Sequence, residues 1–451
     1  MVSAAEQLAA NMNFGAFAKA EELKKRLLFT LIALLVYRFG TYIPLPGVNP
    51  KAFAASFEAQ SGGILGMFNT LAGGAVQRLA IFALNIMPYI SASIIMQLMT
   101  SVVPTLEALK KEGEAGRKQI NQYTRYVTVA LAAFQAYGIA VGLEGSASTV
   151  GSVVIDPGWF FRLTTVVTLV GGTLFLMWLG EQITARGVGN GTSLIIMTGI
   201  VAGLPGALYN LLEQGRLGAI SPPVLLLVLA LMLAVVAAVV FIERAQRRLL
   251  IQYPKRQMGN QMLQGNASHL PLKLNSAGVI PPIFASSLLL LPITAAQFAQ
   301  GSGPEWLKDV VSMLGHGQPL YLAVYVALIV FFAFFYTAVV FNPQETADNL
   351  RKYGGFILGI RPGAKTAEFI DYVLTRITVV GAIYLAVVCV FPEFLTSVAG
   401  VQFTFGGTSL LIAVSVMMDT VAQIQSHLIA QQYEGLIKKA KLRGATPRGQ
   451  R

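Results

Sequence analysis

Residues that could carry out catalysis or bind a metal are few in this chain and stand far apart. Its three histidines, His269, His316 and His427, lack the spacing of metal ligands, and its single cysteine, Cys389, falls inside an apolar stretch. No pairing of a nucleophile with a base is recognisable. The glycine-rich segment Gly187–Gly191 opens an apolar stretch, where glycines permit close packing, and is not a phosphate-binding loop. We therefore expect no catalytic residue, no metal site and no cofactor.

Ten long apolar stretches dominate the sequence, and any functional residue must be positioned by them. The chain of 451 residues is 55% hydrophobic and only 12% charged, with a mean hydropathy of +0.63. A run of about 20 apolar residues matches the ~30 Å hydrocarbon core of a bilayer. Such runs lie near 23–43, 77–103, 123–143, 159–180, 189–211, 222–242, 274–297, 319–341, 373–393 and 403–428. The sequence predicts an all-α polytopic membrane protein with ten transmembrane helices.

The distribution of positive charge predicts how these spans are oriented. All but six of the 33 Lys and Arg residues fall on one face once the spans are threaded. The exceptions are Arg38, Lys51, Arg78, Arg162, Arg216 and Lys308. Because cytoplasmic loops carry the excess of Lys and Arg, the crowded face is predicted to be cytoplasmic. Both termini then lie in the cytoplasm.

No ionisable residue stands at the centre of a predicted span. Arg38, Arg162, Glu181 and Asp419 lie near span ends, where long side chains can reach water and anchor the helix. Charges at mid-membrane usually mark proton or ion pathways. Because the predicted spans have no such charges, the sequence disfavours a small-solute transporter that is coupled to protons or sodium. It also disfavours a membrane-embedded enzyme, because no nucleophile or metal-binding pair stands at mid-membrane.

Two proline-containing motifs stand in corresponding positions of the two halves. Ile86–Ile90 (IMPYI) lies in the second span, where Pro88 predicts a kink, and Val279–Ile283 (VIPPI) opens the seventh. Corresponding helix interruptions of this kind are typical of inverted repeats. The predicted parts are an amphipathic segment 1–22, a half at 23–215 with spans 1–5, a half at 216–429 with spans 6–10, and a basic tail 430–451.

The segment 61–75 is apolar but too short to cross a bilayer, and glycines bracket it on both sides. Non-helical backbone at membrane depth must be buried in protein or line a water-filled cavity. Two interpretations are open on the pattern alone. The segment is either a half-helix folded back into a funnel or an interfacial helix outside the membrane.

Two predicted cytoplasmic loops are longer than a simple connection requires. The loop 243–273 carries six bases against one acid, whereas the loop 342–372 carries four of each. A protruding basic loop can bind phosphates or an acidic protein surface. The need to keep the first loop on the cytoplasmic side explains its positive charge but not its length.

Five motifs of this chain resemble those of the SecY family, the channel subunits of bacterial protein translocases. They are IMPYISAS from Ile86, GVGNG from Gly187, HLPLK from His269 with GVIP from Gly278, NPQETADN from Asn342 and GIRPG from Gly359. The resemblance runs from about residue 15 to residue 443. It implies two pseudo-symmetric, inverted five-helix halves around an hourglass pore, without enzymatic activity.

The resemblance also implies a ring of apolar side chains that closes the pore. Its members correspond to Ile86, Ile90, Ile196, Ile283 and Ile412 in this sequence. A further ring position, usually apolar in the family, is occupied here by Thr192. One polar member should make the seal slightly wetter.

A plug and a lateral gate follow from the same resemblance. The family's plug corresponds to 62–75, with apolar residues Ile64, Leu65, Met67, Phe68 and Leu71, and this favours the funnel interpretation. The gate lies between spans 2–3 and spans 7–8. Ser91 and Asn275 match its polar positions, although an ordinary interhelical hydrogen bond explains both residues as well.

The resemblance further implies docking of a motor or a ribosome on the cytoplasmic loops. The residues concerned are Arg247, Arg248, Lys255, Arg256 and Arg361. Implied partners are SecE and SecG in a heterotrimer, the ATPase SecA, the ribosome and its RNA, signal sequences, nascent chains and membrane lipid, with SecDF and YidC as further candidates. The implied location is the bacterial inner membrane, and the implied function is passage of unfolded secretory chains and lateral release of apolar segments.

Overall fold

Helices dominate the structure, a computed structural model. It describes residues 21–60, 69–145, 147–148, 151–218, 221–253, 256–258, 261–263, 267–298, 319–399 and 407–444. The helices are α1 Glu21–Gly40, α2 Pro50–Gln60, α3 Met87–Val102, α4 Pro104–Lys111, α5 Glu114–Gly145, α6 Trp159–Arg186, α7 Gly191–Arg216, α8 Pro222–Arg244, α9 Ile280–Phe298, α10 Pro319–Val340, α11 Pro343–Lys352, α12 Ala364–Ala399 and α13 Gly407–Gly444. The strands are β1 Ala147–Ser148, β2 Gly151–Ser152, β3 Gln246–Gln252, β4 Arg256–Met258, β5 Gln261–Leu263, β6 Ala267–Lys273 and β7 Phe356–Ile357.

Each of the ten predicted apolar stretches overlaps one helix of at least 16 residues. Within the described residues, 7 helices are long and apolar enough to cross a membrane by themselves, or 8 if the bent pair α3–α4 forms one span. This pair bends by 98°. The protein is therefore a multi-pass membrane protein, and the predicted ten-helix arrangement is consistent with this structure.

The second span begins later than its hydropathy suggests. Residues 72–86 form turns, and α3 starts only at Met87, so that Ile86 is its N-cap. Pro88 therefore lies in the first helical turn, where a missing N–H removes no intrahelical hydrogen bond. The prediction of a kink at Pro88 was wrong for this reason. In the other half, Pro281 and Pro282 likewise follow the start of α9 at Ile280.

The two halves of the chain meet along two lines of helix contact. On one side α9 packs against α3 and α5, and on the other α13 packs against α1 and α7. Between these lines lies the largest apolar cluster of buried residues, which draws on α1, α3, α6 and α7 from the first half and on α8, α9, α10, α12 and α13 from the second. The core that holds the halves together is thus central to the molecule.

The two long loops that were predicted to be cytoplasmic share one antiparallel sheet with strand order β6-β3-β7. Strand β3 pairs with β6 along its whole length, and Ile251 of β3 lies opposite Ile357 of β7. Beneath the sheet, Leu249, Leu272 and Ile357 are buried together with residues near the start of α12. The sequence indicated two separate loops, whereas the structure joins them into one body on top of the helices.

Candidate pore and gate

The five predicted ring residues lie in or against the central apolar cluster. Ile86 is 0% exposed, Ile196 3% and Ile412 1%, and Ile90 is also buried. All four belong to the cluster, and Ile283 is half-buried and packs against it. They come from α7, α13, α9 and the N-terminal end of α3, so four separate elements each bring one isoleucine or more to this cluster. We call these five residues the collar.

Thr192 lies in the first turn of α7. Its backbone N–H donates to the Oδ1 atom of Asn190, which caps this helix and also accepts from Ser193 N–H. Thr192 is half-buried, whereas Ile196, one turn further along, is buried. The polar residue therefore stands at the end of the helix, one turn away from the buried collar residue of α7.

Only one of the five predicted plug residues lies in a described segment. Ile64, Leu65, Met67 and Phe68 fall outside the described residues. Leu71 is 3% exposed and belongs to the same apolar cluster as the collar. Leu71 of the predicted plug thus shares a buried cluster with four of the collar residues, and turns lead on from there towards Ile86.

The two predicted gate residues occupy different surroundings. Ser91 is buried on α3, and Asn275 is buried just before α9. The Asn275 amide donates from Nδ2 to Glu243 Oε1 over 2.7 Å and to the carbonyl of Gly278 over 3.0 Å. Glu243 ends α8, in the same half of the chain as Asn275. Sequence reasoning missed this partner, because it treated Glu243 only as the single acid of a basic loop.

The glycine-rich segment Gly187–Gly191 connects helices of both halves. The Val188 N–H donates to Thr30 Oγ1 of α1 over 3.1 Å, and the Gly189 N–H donates to Gln423 Oε1 of α13 over 2.9 Å. A Cβ at Gly191 would collide with the carbonyl of Gly180. Glycine is therefore required here by the close approach of α6 and α7, as the sequence indicated.

Three of the predicted docking arginines project from the sheet β6-β3-β7 or from the turns beside it. Arg247 and Arg248 are exposed on β3, and Arg361 is exposed in a turn between Gly359 and Gly363, whose φ values are +80° and +111°. None of the three forms an ion pair with another residue that the structure describes. Lys255 lies outside the described residues, and of Arg256 only its place at the start of β4 is described.

Known proteins resemble this chain over nearly all of its length. A family model of SecY matches residues 80–421. The chain belongs to the SecY family. A SecY relative from Rickettsia felis, named protein translocase subunit SecY, is 55% identical over 94% of this chain and 97% of its own length. The protein translocase subunit SecY of Escherichia coli K12 is also 55% identical, over 94% of this chain and 96% of its own.

Solved channels share the SecY fold with this chain. A SecY channel studied for the effect of its plug domain on the closed state matches with a TM-score of 0.65, at 18% identity and over 95% of both chains. A Sec61 channel in a canine ribosome–channel complex matches with a TM-score of 0.61, at 16% identity and again over 95% of both chains. At these identities the likeness concerns the fold alone.

Proposed function

We propose that this chain is the channel-forming subunit of a bacterial protein translocase. It passes unfolded secretory chains across the membrane and releases apolar segments sideways into the lipid. The observation that carries the proposal is the collar: isoleucines from four elements in both halves lie in or against one buried cluster. Relatives at 55% identity that are named protein translocase subunits support the same function.

The collar acts as a seal because branched apolar side chains resist wetting in a narrow passage. Hydrophobic constrictions gate ion channels by the same physical effect. In this proposal, the isoleucines separate around a passing chain and close behind it. They make no directional contact with the cargo, so its amino-acid sequence matters little. Leu71 and the rest of the plug at 62–75 cover the collar in the resting channel.

Sorting of the cargo takes place at the seam where α9 packs against α3 and α5. A sufficiently apolar segment is more stable in lipid than in a watery funnel, and it leaves when the seam opens. The hydrogen bond between Asn275 and Glu243 lies within the second half. Opening the seam therefore leaves this bond intact, and α8 moves together with the start of α9.

The cytoplasmic sheet is the proposed docking surface for the driving machinery. Arg247, Arg248 and Arg361 are exposed and extend positive charge into the solvent from one folded body. Arginine binds carboxylates and phosphates with two hydrogen bonds in a fixed geometry. The docking partners are the ATPase SecA and the ribosome, whose RNA supplies phosphates, and Lys255 and Arg256 contribute to the same surface. The chain itself supplies neither catalysis nor a cofactor.

The remaining features of the proposal concern the assembly and its location. SecE holds the two halves together, SecG lies at the periphery, and SecDF and YidC are further candidate partners. The location is the bacterial inner membrane with both termini in the cytoplasm, as the distribution of Lys and Arg favours.

Reconstitution of the full assembly tests the proposal. The chain, with SecE and SecG, is placed in liposomes that receive SecA, ATP and a precursor with a signal sequence. We expect the precursor to become resistant to external protease only when ATP is present. Accumulation of a small solute by liposomes with this chain alone, without any protection of the precursor, would instead support the transporter interpretation.

A further inference from the structure

Three consecutive backbone carbonyls at the end of the predicted plug each accept a hydrogen bond from a different side chain. Asn85 Nδ2 donates to the carbonyl of Leu71 over 3.0 Å, and Tyr37 Oη donates to that of Ala72 over 3.4 Å. Arg38 Nη1 donates to the carbonyl of Gly73 over 2.5 Å. Tyr37 and Arg38 lie at the end of α1, and Asn85 lies two residues before α3.

A helical segment ends at these carbonyls, and side chains donate to them in place of intrahelical N–H groups; the Ala72 carbonyl also accepts from the backbone N–H of Ala75 over 3.3 Å. Helical geometry stops at Leu71, and the last carbonyls of a helix have no partner within it. Leu71, Ala72 and Gly73 are all buried, away from water that could supply the bonds. A buried carbonyl without a donor is costly. The three donors therefore help to stabilise this segment in its buried position.

The segment also lies directly against the backbone of α7. A Cβ added at Gly199 would stand 2.5 Å from the carbonyl oxygen of Leu71, and one at Gly73 would stand 2.9 Å from the Cα of Gly199. Gly73 itself has a φ of +64°, which favours glycine. Displacement of the donors would leave the segment with this tight contact but without the hydrogen bonds that the three side chains donate to its carbonyls.

Packing holds Tyr37 in place, whereas Asn85 is held in an energetically unfavourable conformation. Tyr37 is fully buried and stacks on Phe82 with the ring centroids 6.3 Å apart. Arg38 is the next residue in the sequence, so the packing of Tyr37 also fixes the backbone of Arg38. Asn85 has a φ of +50°, in the left-handed region that few residues other than glycine and asparagine adopt. Its Oδ1 atom is buried without a partner in the part of the chain that the structure describes. Strain and an unpaired atom at one residue are typical of functional positions.

The consequence of these bonds concerns the seal. Leu71 belongs to the same buried cluster as the collar residues Ile86, Ile196 and Ile412. Its carbonyl is bonded to Asn85, next in sequence to Ile86. We propose that Tyr37, Arg38 and Asn85 are positioning residues that hold Leu71 against the collar in the closed channel. Their release sets how readily the channel opens, and this inference rests on the proposed channel function.

Two mild substitutions test the role of the donors. Tyr37→Phe keeps the ring and removes the hydroxyl, while Asn85→Gly keeps the left-handed backbone and removes the amide. Since a neutral hydrogen bond corresponds to roughly a 2- to 10-fold change in an equilibrium, we expect each variant to raise the resting ion conductance of the reconstituted translocase by about that factor. The double variant should have a higher resting conductance than either single variant. It should also accept precursors with defective signal sequences, a readout that a merely structural role would not move.

Matched controls separate the role of the three donor side chains from general effects on the protein. Tyr209→Phe removes a hydroxyl from a residue of α7 that is 65% exposed and should leave conductance unchanged. Arg38→Lys retains a charged donor and should leak less than Arg38→Gln. Normal conductance and normal rejection of defective signals in the double variant overturn the inference. If the parent translocase moves no precursor at all, it is the proposed function that fails.

Discussion

Asn275 donates a hydrogen bond to Glu243 over 2.7 Å, and both residues belong to the second half of the chain. The bond therefore joins the C-terminal end of α8 to the start of α9 and does not cross the seam towards Ser91. A carboxylate acceptor makes it stronger than the interhelical bond expected from the sequence. The predicted gate helix α9 is thus tied to its own half of the chain.

Removal of this acceptor should loosen the gate helix. Glu243→Ala deletes a hydrogen bond to a charged group, so we expect a loss of about 1.5–3 kcal/mol in stability. The midpoint of thermal unfolding in detergent and the acceptance of defective signal sequences measure the effect. Asp419→Ala is the matched control, because its ion pair with Lys273 is long, at 3.6 Å, and exposed, and should contribute less than about 1 kcal/mol. Equal effects of the two substitutions would contradict the special role of Glu243.

A polar side chain in the collar should wet the seal. Ile412→Asn places an amide in the buried cluster, and we expect higher resting conductance together with looser rejection of defective signal sequences. Planar-bilayer recordings and export assays measure both. Met417→Asn serves as the control, since Met417 lies on the same helix but is 51% exposed. Unchanged conductance in Ile412→Asn would remove this residue from the seal.

Reversal of one exposed charge should uncouple the motor from the channel. Because like charges facing each other cost several kcal/mol at an interface, Arg361→Glu should lower SecA-driven translocation by about an order of magnitude or more. Assembly with SecE should be retained. Lys365→Glu is the control, since Lys365 is exposed near Arg361 but already forms an ion pair with Glu368. Export at the parental rate in Arg361→Glu refutes the docking role of this residue.

The joined sheet should make the two cytoplasmic loops depend on each other. Ile357→Ala removes a buried side chain from the sheet's core, and such truncations cost about 2–5 kcal/mol. We expect faster proteolysis in the loop 243–273 as well as near residue 357, and weaker SecA binding. The neighbouring Leu358 is 56% exposed, so Leu358→Ala should have little effect. Cleavage confined to the loop 342–372 would show that the loops are independent.

The contacts that the sequence pattern did not predict join residues that are far apart in the chain. The pairing of β3 with β7 joins residues about a hundred positions apart, and neither strand has a strong pattern of its own. The bonds from Tyr37 and Arg38 to Ala72 and Gly73 span 35 residues. Hydropathy reports the environment of a segment but not its partners, so it could not reveal these contacts.

The sequence by itself determined the membrane class, the positions of the helices and the orientation that the charges predict, because hydrocarbon thickness and positive charge act on local stretches of chain. Its motifs also identified the family and named the collar residues. Only the tertiary structure decided that four collar isoleucines share one buried cluster with Leu71, and that Asn275 bonds to Glu243. Those outcomes depend on which helix faces meet, and helix packing follows the shape of the whole assembly of side chains.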